Sequence, residues 1–296
     1  MPDGPHHAGR RPSRDPSTAS IMTRTFALMV IWLSVLAMVR PAAAQGDASG
    51  SLVIAGNGPE QHMMEQLARA FEKANPRAYV DIVWDENSKP VEMVKSGQAQ
   101  MAVTGKEDAD LAATQIGWDG IAIMVNLSNH TKEITTQQAA DIFTGKVKFW
   151  SDLGGPETKI LVIDRPRNRN IKDTFENHLG ISGKVADGAK VIGPDDKAIK
   201  AVVGTLPPLS AVTYISLGSA LEAVNSGVAV RLLPIDKVEA EEPPVKDGRY
   251  KLRRALLLLA KKDPNPIANA FVAFAVSKEG QTIIDNEGYT PLPQQK

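Results

Sequence analysis

The chain contains no cysteine. That absence removes disulfides, thiolate metal sites and any cysteine nucleophile, and it also removes a lipid-anchored cysteine after an export signal. A folded state must then stand on its core alone. Net charge is missing too: Lys and Arg number 34, Asp and Glu number 34, and the formal balance is +0. Such a balance argues against bulk electrostatic binding of nucleic acid or of an anionic membrane, although a local patch remains allowed. No Gly-x-Ser-x-Gly nucleophile elbow and no Walker phosphate loop occurs. His62, His130 and His178 are scattered without zinc spacing. With no nucleophile and base set legible, the expectation is a protein that is not an enzyme and uses no cofactor or metal. Internal repeats and long low-complexity segments are also lacking.

What is present suits a folded protein of ordinary make-up. Hydrophobic residues form 43% and charged residues 23% of 296 residues, a length that accommodates two domains of roughly 100–200 residues each. Near the N-terminus Arg24 precedes an apolar run at 26–39, and Ala42, Ala43 and Ala44 stand before Gln45. Charge, apolar core and small residues at a cleavage site follow in the order of a secretory signal peptide, read as residues 22–44. Arg40 breaks the run before the roughly 20 apolar residues that a bilayer core requires. Residues 1–21, rich in Pro, His, Arg and Ser, lie upstream of Met22 and read as a misassigned start or a disordered extension. An exported, cysteine-free chain fits a soluble protein of a bacterial periplasm.

Beyond residue 45 strand-like and helix-like segments alternate. Strands are expected at 52–55, 79–84, 101–104, 120–125, 160–163, 211–216 and 252–260, from short apolar runs bounded by turn residues. Helices are expected from Pro59 onward, at 91–96, at 136–143, up to Leu179, and at 267–284 with an interruption near Ser277. The acidic, proline-containing stretch 239–246 reads as an exposed loop. Alternation of this kind predicts parallel sheets covered by helices, with ligands near the carboxyl ends of strands. The loops holding Asn57, Asn87 and Arg165 lie at such ends.

The run 165–175 is the most informative of these loops. Arg165, Arg167, Arg169 and Lys172 stand where a strand gives way to a helix. Helix N-termini attract anions because their first N–H groups lack partners and the peptide dipoles add partial positive charge. A solvated basic loop is the plain alternative.

Several blocks then share an order with a known family. Asp119-Gly120-Ile121-Ala122-Ile123-Met124-Val125-Asn126, Asp141-Ile142-Phe143-Thr144-Gly145-Lys146 and Trp150-Ser151-Asp152-Leu153-Gly154-Gly155-Pro156 resemble the middle of the periplasmic phosphate-binding proteins of ABC importers. Tyr214-Ile215-Ser216-Leu217-Gly218, Leu233-Pro234-Ile235-Asp236 and the closing stretch 279–293 resemble later parts of the same family. The resemblance implies an α/β, two-lobed type II periplasmic binding fold with a ligand cleft between the lobes. Residues 45–121 plus 232–296 would form lobe I, and 122–231 lobe II. It also implies a solute-binding protein that binds phosphate or a related anion and hands it to an ABC permease of the inner membrane. A monomer with no nucleic-acid partner is expected.

The same resemblance locates the ligand contacts. The family motif Arg-x-x-Gly-Ser-Gly-Thr-Arg-Asp-x-Phe is matched by Arg165, Asp173 and Phe175, and Lys172 retains its second cation. Asn168, Arg169, Asn170 and Ile171 replace its Gly-Ser-Gly-Thr centre. Asn57 and Gly58 stand where the family has small hydroxyl residues, and Asn87 or Ser88 in its second such loop. Gln100 stands where a family acid accepts a proton from hydrogen phosphate, and an amide offers donors that a carboxylate does not. The expected ligand-binding set is therefore Asn57, Gly58, Asn87, Ser88, Gln100, Arg165, Arg167, Arg169, Asn170 and Lys172. Sulfate-like and organic anions, phosphorylated or carboxylated, remain open. The alternative is a degenerate binding-protein fold acting as a sensory or protein-interaction module without phosphate binding.

Overall fold

A computed structural model describes residues 48–85, 87–167 and 170–293, with Asn170 described in its backbone alone. The extension and signal peptide expected at 1–44 lie outside these residues, as does Arg169. Strand β1 (Ser49–Gly56) is followed by helix α1 (Gln61–Ala74), strand β2 (Arg77–Trp84), helix α2 (Pro90–Ser96) and strand β3 (Met101–Thr104). β1 pairs in parallel with both β2 and β3. Helix α1 forms because Met63, Met64, Leu67, Ala68 and Phe71 recur at helical spacing and bury one face. Pro59 was expected at its first position. It precedes the helix instead, because the N-cap is Glu60, whose carboxylate turns inward to Arg254.

Strand β4 (Leu111–Asn126) is the long crossover between the lobes. Along 111–120 it pairs with β9 (Arg253–Lys261), and from Ile121 to Val125 it pairs with β7 (Ala211–Ser216), both antiparallel. The change of partner falls at Gly120, where a side-chain carbon would stand 2.8 Å from Leu217 and from Val245. Only a residue without Cβ allows the second lobe to close on the strand there.

The second lobe contains helix α3 (Thr136–Phe143), strand β5 (Leu161–Asp164), helix α4 (Asn170–Leu179), strand β6 (Lys190–Val191) and helix α5 (Asp195–Gly204). After β7 come helix α6 (Leu217–Asn225), strand β8 (Val230–Leu232) and helix α7 (Glu242–Asp247). β5 is parallel to β6 and β7, and β8 is antiparallel to β4. A capping box starts α3: Gln138 N–H donates to Thr135 Oγ1 at 3.1 Å, and Thr135 N–H donates to Gln138 Oε1 at 2.8 Å.

The chain returns through β9 to helix α8 (Pro266–Val276), helix α9 (Lys278–Asn286) and strand β10 (Thr290–Pro291), which pairs with β4. Ser277 ends α8 and caps α9, its Oγ accepting from Gly280 N–H at 3.2 Å. A Cβ at Gly280 would meet Phe274 O at 2.2 Å, so the interruption expected near Ser277 is a tight two-helix corner. The resulting path through the sheets is β2-β1-β3-β9-β4-β7-β5-β6.

Separate apolar cores fill the lobes. Leu52, Ile54, Phe71, Met101, Leu256 and Phe271 anchor the first, with Phe71 and Phe271 edge to face at 5.3 Å. Ile123, Phe143, Trp150, Phe175 and Tyr214 anchor the second. Each fully buried large apolar side chain contributes about 1.5–3 kcal/mol by leaving water, which is the stability a chain without disulfides needs. One expectation is corrected by this packing. Residues 239–246 are not an open loop: Glu241 caps α7, and Pro244 and Val245 are buried. Leu233, Ile235, Ala240, Val245, Tyr250 and Leu252, which follow the residues expected to form lobe II, also pack in the second core.

Candidate functional site

Parallel pairing brings the carboxyl ends of β1, β2 and β3 to one edge of the first lobe. Trp84 lies across the end of β1: a Cβ at Gly56 would stand 2.2 Å from its ring. Trp84 Nε1 donates to Gly58 O at 2.9 Å, Ser88 Oγ donates to Gly56 O at 3.0 Å, and Asn57 Nδ2 donates to Ser88 O at 3.2 Å. These bonds clip the 57 and 88 loops together. Asn87 is exposed, and its N–H donates to Asp85 Oδ1 at 2.6 Å. Beyond β3, Lys106 N–H donates to Thr104 Oγ1 at 3.3 Å while its side chain is exposed.

The facing wall is built from β5 and α4. Arg165 is only 1% exposed, and its guanidinium is committed within the protein. Nε donates to Tyr214 O at 3.0 Å, Nη1 to Gly193 O at 2.7 Å and Ile192 O at 3.3 Å, and Nη2 to Asp195 Oδ1 at 2.7 Å. Lys172, 7% exposed, places Nζ 2.5 Å from Asp164 Oδ2 and 2.5 Å from Glu176 Oε1. Tyr214 Oη donates to Asp164 Oδ1 at 2.7 Å, and burial followed by the Asp164 charge raises its phenol well above the ordinary value. Its ring stacks on Phe175 with centroids 3.8 Å apart. Two of the cations expected to meet the ligand, Arg165 and Lys172, thus face Asp164, Glu176 and Asp195. Three carboxylates against two cations leave this corner without surplus positive charge.

Arg167 behaves differently. It is exposed, and neither it nor Lys106 forms an ion pair among the described residues. A cavity of about 780 Å³ opens between the walls, with Asn57, Ser88, Thr104 and Lys106 on one side and Arg167 and Thr174 on the other. A second, of about 720 Å³, reaches Arg165, Lys172 and Asp187. Both are lined by Lys106, Arg167, Asp173 and Asn177, so they adjoin along that line. His178 edges the first cavity, its pKa lowered by burial and then by Lys251.

A buried charge cluster joins the crossover strands. Arg254 on β9 donates through Nε to Asp119 Oδ2 at 2.9 Å and through Nη2 to Glu60 Oε1, and Ser216 Oγ donates to Asp119 Oδ1 at 2.7 Å. Burial pushes the Asp119 carboxyl up to about 6, against the pull of Arg254 and Ser216. Burial also opposes the charge on Arg254, but Glu60 and Asp119 outweigh it and hold the guanidinium above its usual pKa. The cluster links α1, both crossover strands and the end of β7. Gly58 leaves room for it, since a Cβ there would meet Glu60 Oε2 at 2.0 Å.

The structure brings Asn57, Ser88 and Arg167 to the cleft and Arg165 and Lys172 to its adjoining cavity, while Gly58 and Asn87 flank the first wall. Asn170 opens α4. Gln100 lies apart from these: it precedes β3 at the opposite end of the strand, where its Oε1 accepts from Val53 N–H at 2.7 Å. It lines a separate cavity of about 240 Å³ with Lys261 and Asn265. Lys106 was missed. Its signal was present, because it follows β3 at the carboxyl end, where open α/β sheets place their ligands.

Comparisons with known proteins agree with this architecture. The family profile described as PBP superfamily domain matches residues 41–279. The phosphate-binding protein PstS of Bacillus subtilis (strain 168) is 26% identical over 264 residues, which is 86% of this chain and 85% of that protein. A Clostridium perfringens protein, described as a phosphate ABC transporter substrate-binding protein and solved with bound phosphate, superposes with a TM-score of 0.74. Its identity is 25%, over 82% of this chain and all, 100%, of the other. An ABC-type phosphate transport receptor from Vibrio cholerae shares the fold with a TM-score of 0.70 at 24% identity, covering 82% of this chain and 100% of that one. With two α/β lobes, two crossover strands and a cleft walled from both sides, the chain belongs to the PBP superfamily.

Proposed function

We propose that the protein is the solute-binding component of an ABC-type importer, taking phosphate or a related anion into the cleft and handing it to a permease of the inner membrane. The observation that carries this reading is the set of cleft-lining cations without ion partners among the described residues, Lys89 and Lys106 on one wall and Arg167 on the other. A ligand touching both walls would favour closure of the lobes about β4 and β9, because it gains contacts in the closed state that the open state lacks. The names of its relatives support phosphate as the first anion to try. Asn57 and Ser88 contribute polar contacts from the first wall, and the start of α4 at Asn170 contributes N–H groups from the second.

Delivery to a permease requires export, which the signal-like residues 22–44 would provide, placing the mature chain in the periplasm as a monomer. No helix among the described residues is long and apolar enough to cross a membrane. A thermal-shift series with phosphate, sulfate, molybdate and organic anions tests the reading. An anion at about 100 times its Kd stabilises the folded state by roughly 2.7 kcal/mol. If no anion raises the melting temperature at saturation, the transport reading fails. Sequencing the N-terminus of exported protein tests cleavage before Gln45.

A further inference from the structure

We infer that the cleft is selective for an organic phosphate, a phosphomonoester on a hydroxyl-bearing body, over inorganic phosphate. The inference rests on the anion-binding reading and names its ligand class. The first argument is chemical. A bare oxyanion needs donors on all sides, yet Arg165 and Lys172 already serve protein acceptors, and the Ser88 hydroxyl proton goes to Gly56 O. Among the described residues, the cations left to receive a phosphate group are Lys89, Lys106 and Arg167, and of these Lys106 and Arg167 line both cavities, one from each wall.

The second argument is the character of the remaining lining. Beside those cations the adjoining cavities expose the carboxylates of Asp173, Glu107 and Asp187. Ionised carboxylates only accept hydrogen bonds, so beside the phosphate head they reward a ligand body whose several hydroxyls supply more O–H donors than the one or two of inorganic phosphate. The third is size. Cavities of about 780 and 720 Å³ meeting along one line fall in the range of roughly 300–1,000 Å³ that holds small organic ligands. A phosphate head between Lys106 and Arg167 leaves space for a polyol body against Asp173.

Calorimetry on the full chain would compare inorganic phosphate, glycerol 3-phosphate, glucose 6-phosphate and glycerol. One or both phosphomonoesters are expected to bind about tenfold or more tightly than inorganic phosphate, and glycerol not measurably, since charge-assisted bonds dominate. Lys106→Gln and Arg167→Gln should each weaken the phosphomonoester about tenfold with the melting temperature unchanged. Asp173→Asn should shrink the preference over inorganic phosphate, because the ester's hydroxyl groups lose a charged acceptor. Inorganic phosphate binding as tightly as both esters, or ester affinity indifferent to Lys106 and Arg167, overturns the inference while leaving anion binding intact. No binding by any of these anions overturns the inference and removes phosphate from the importer reading, which the wider anion series then decides.

Discussion

Lys172 holds its ammonium 2.5 Å from the Asp164 carboxylate, and both side chains are 8% exposed. Glu176, one helical turn away on α4, closes the other side at 2.5 Å. Two nearby acids make this lysine a structural counter-ion. Replacing it by methionine leaves two buried carboxylates facing each other, and breaking a buried pair from one side costs about 3–5 kcal/mol. Lys172→Met should therefore lower the urea midpoint sharply. Adding Asp164→Asn should recover part of the loss, because it removes one of the stranded charges. An unchanged midpoint in the single variant would show that the triad does not hold the lobe.

Arg165 and Arg167 stand two residues apart and should fail in different ways. Arg165→Gln leaves Tyr214 O, Ile192 O, Gly193 O and Asp195 short of a buried donor. Destabilisation of about 3 kcal/mol or more is expected. Arg167→Gln changes an exposed side chain and should move stability by less than about 0.5 kcal/mol. Its effect belongs in anion affinity. Denaturation and calorimetry on both variants separate the roles, and a stable Arg165→Gln protein that had lost its ligand would reverse the assignment.

This contrast shows what the sequence could and could not disclose. Strand and helix periods were legible because each lobe buries one face of every major element, so the segments expected at 52–55, 101–104 and 211–216 form at or within β1, β3 and β7. The basic run before α4 was legible as well. Which of its cations faces the cleft was not, because that depends on acids distant in sequence: Asp195, 30 residues beyond Arg165, takes its charge. Likewise Glu60 and Arg254 meet across 194 residues, and no local pattern announces such a pair. Gln100 lies before β3, at the end of the strand away from the cleft, and the resemblance that suggested a ligand role carried no information on which strand end it would occupy.

Gly56 offers a test of the first wall. A methyl group there would press on the Trp84 ring at 2.2 Å, too close for relaxation within the clipped loops. Overpacking of this kind costs about 1–3 kcal/mol. Gly56→Ala should lower the melting temperature and shift Trp84 fluorescence, since moving the ring strains its bond to Gly58 O. Trp84→Leu, which removes the ring, should make Gly56→Ala nearly harmless when combined with it. Additive losses in the double variant would place the strain elsewhere.

The Asp119 cluster predicts a pH dependence with a definite sign. Its carboxyl titrates at about 6 in the folded protein, because burial outweighs Arg254 and Ser216, and at about 3.9 in an unfolded chain. Between those values the folded state holds a proton that the unfolded state has lost. On this group's account stability therefore falls as pH rises from about 4 to about 6 and is level above, by roughly 3 kcal/mol in total. His178 works in the opposite direction: burial and Lys251 lower its pKa, so its contribution improves as pH rises and the imidazole becomes neutral. Urea denaturation of the wild type and of Asp119→Asn from pH 4 to 7 isolates the aspartate, since His178 is common to both and cancels in the difference. The wild type should lose stability relative to the variant across pH 4–6. A flat difference would mean that Asp119 keeps an ordinary carboxylate pKa and that Arg254 offsets its burial in full.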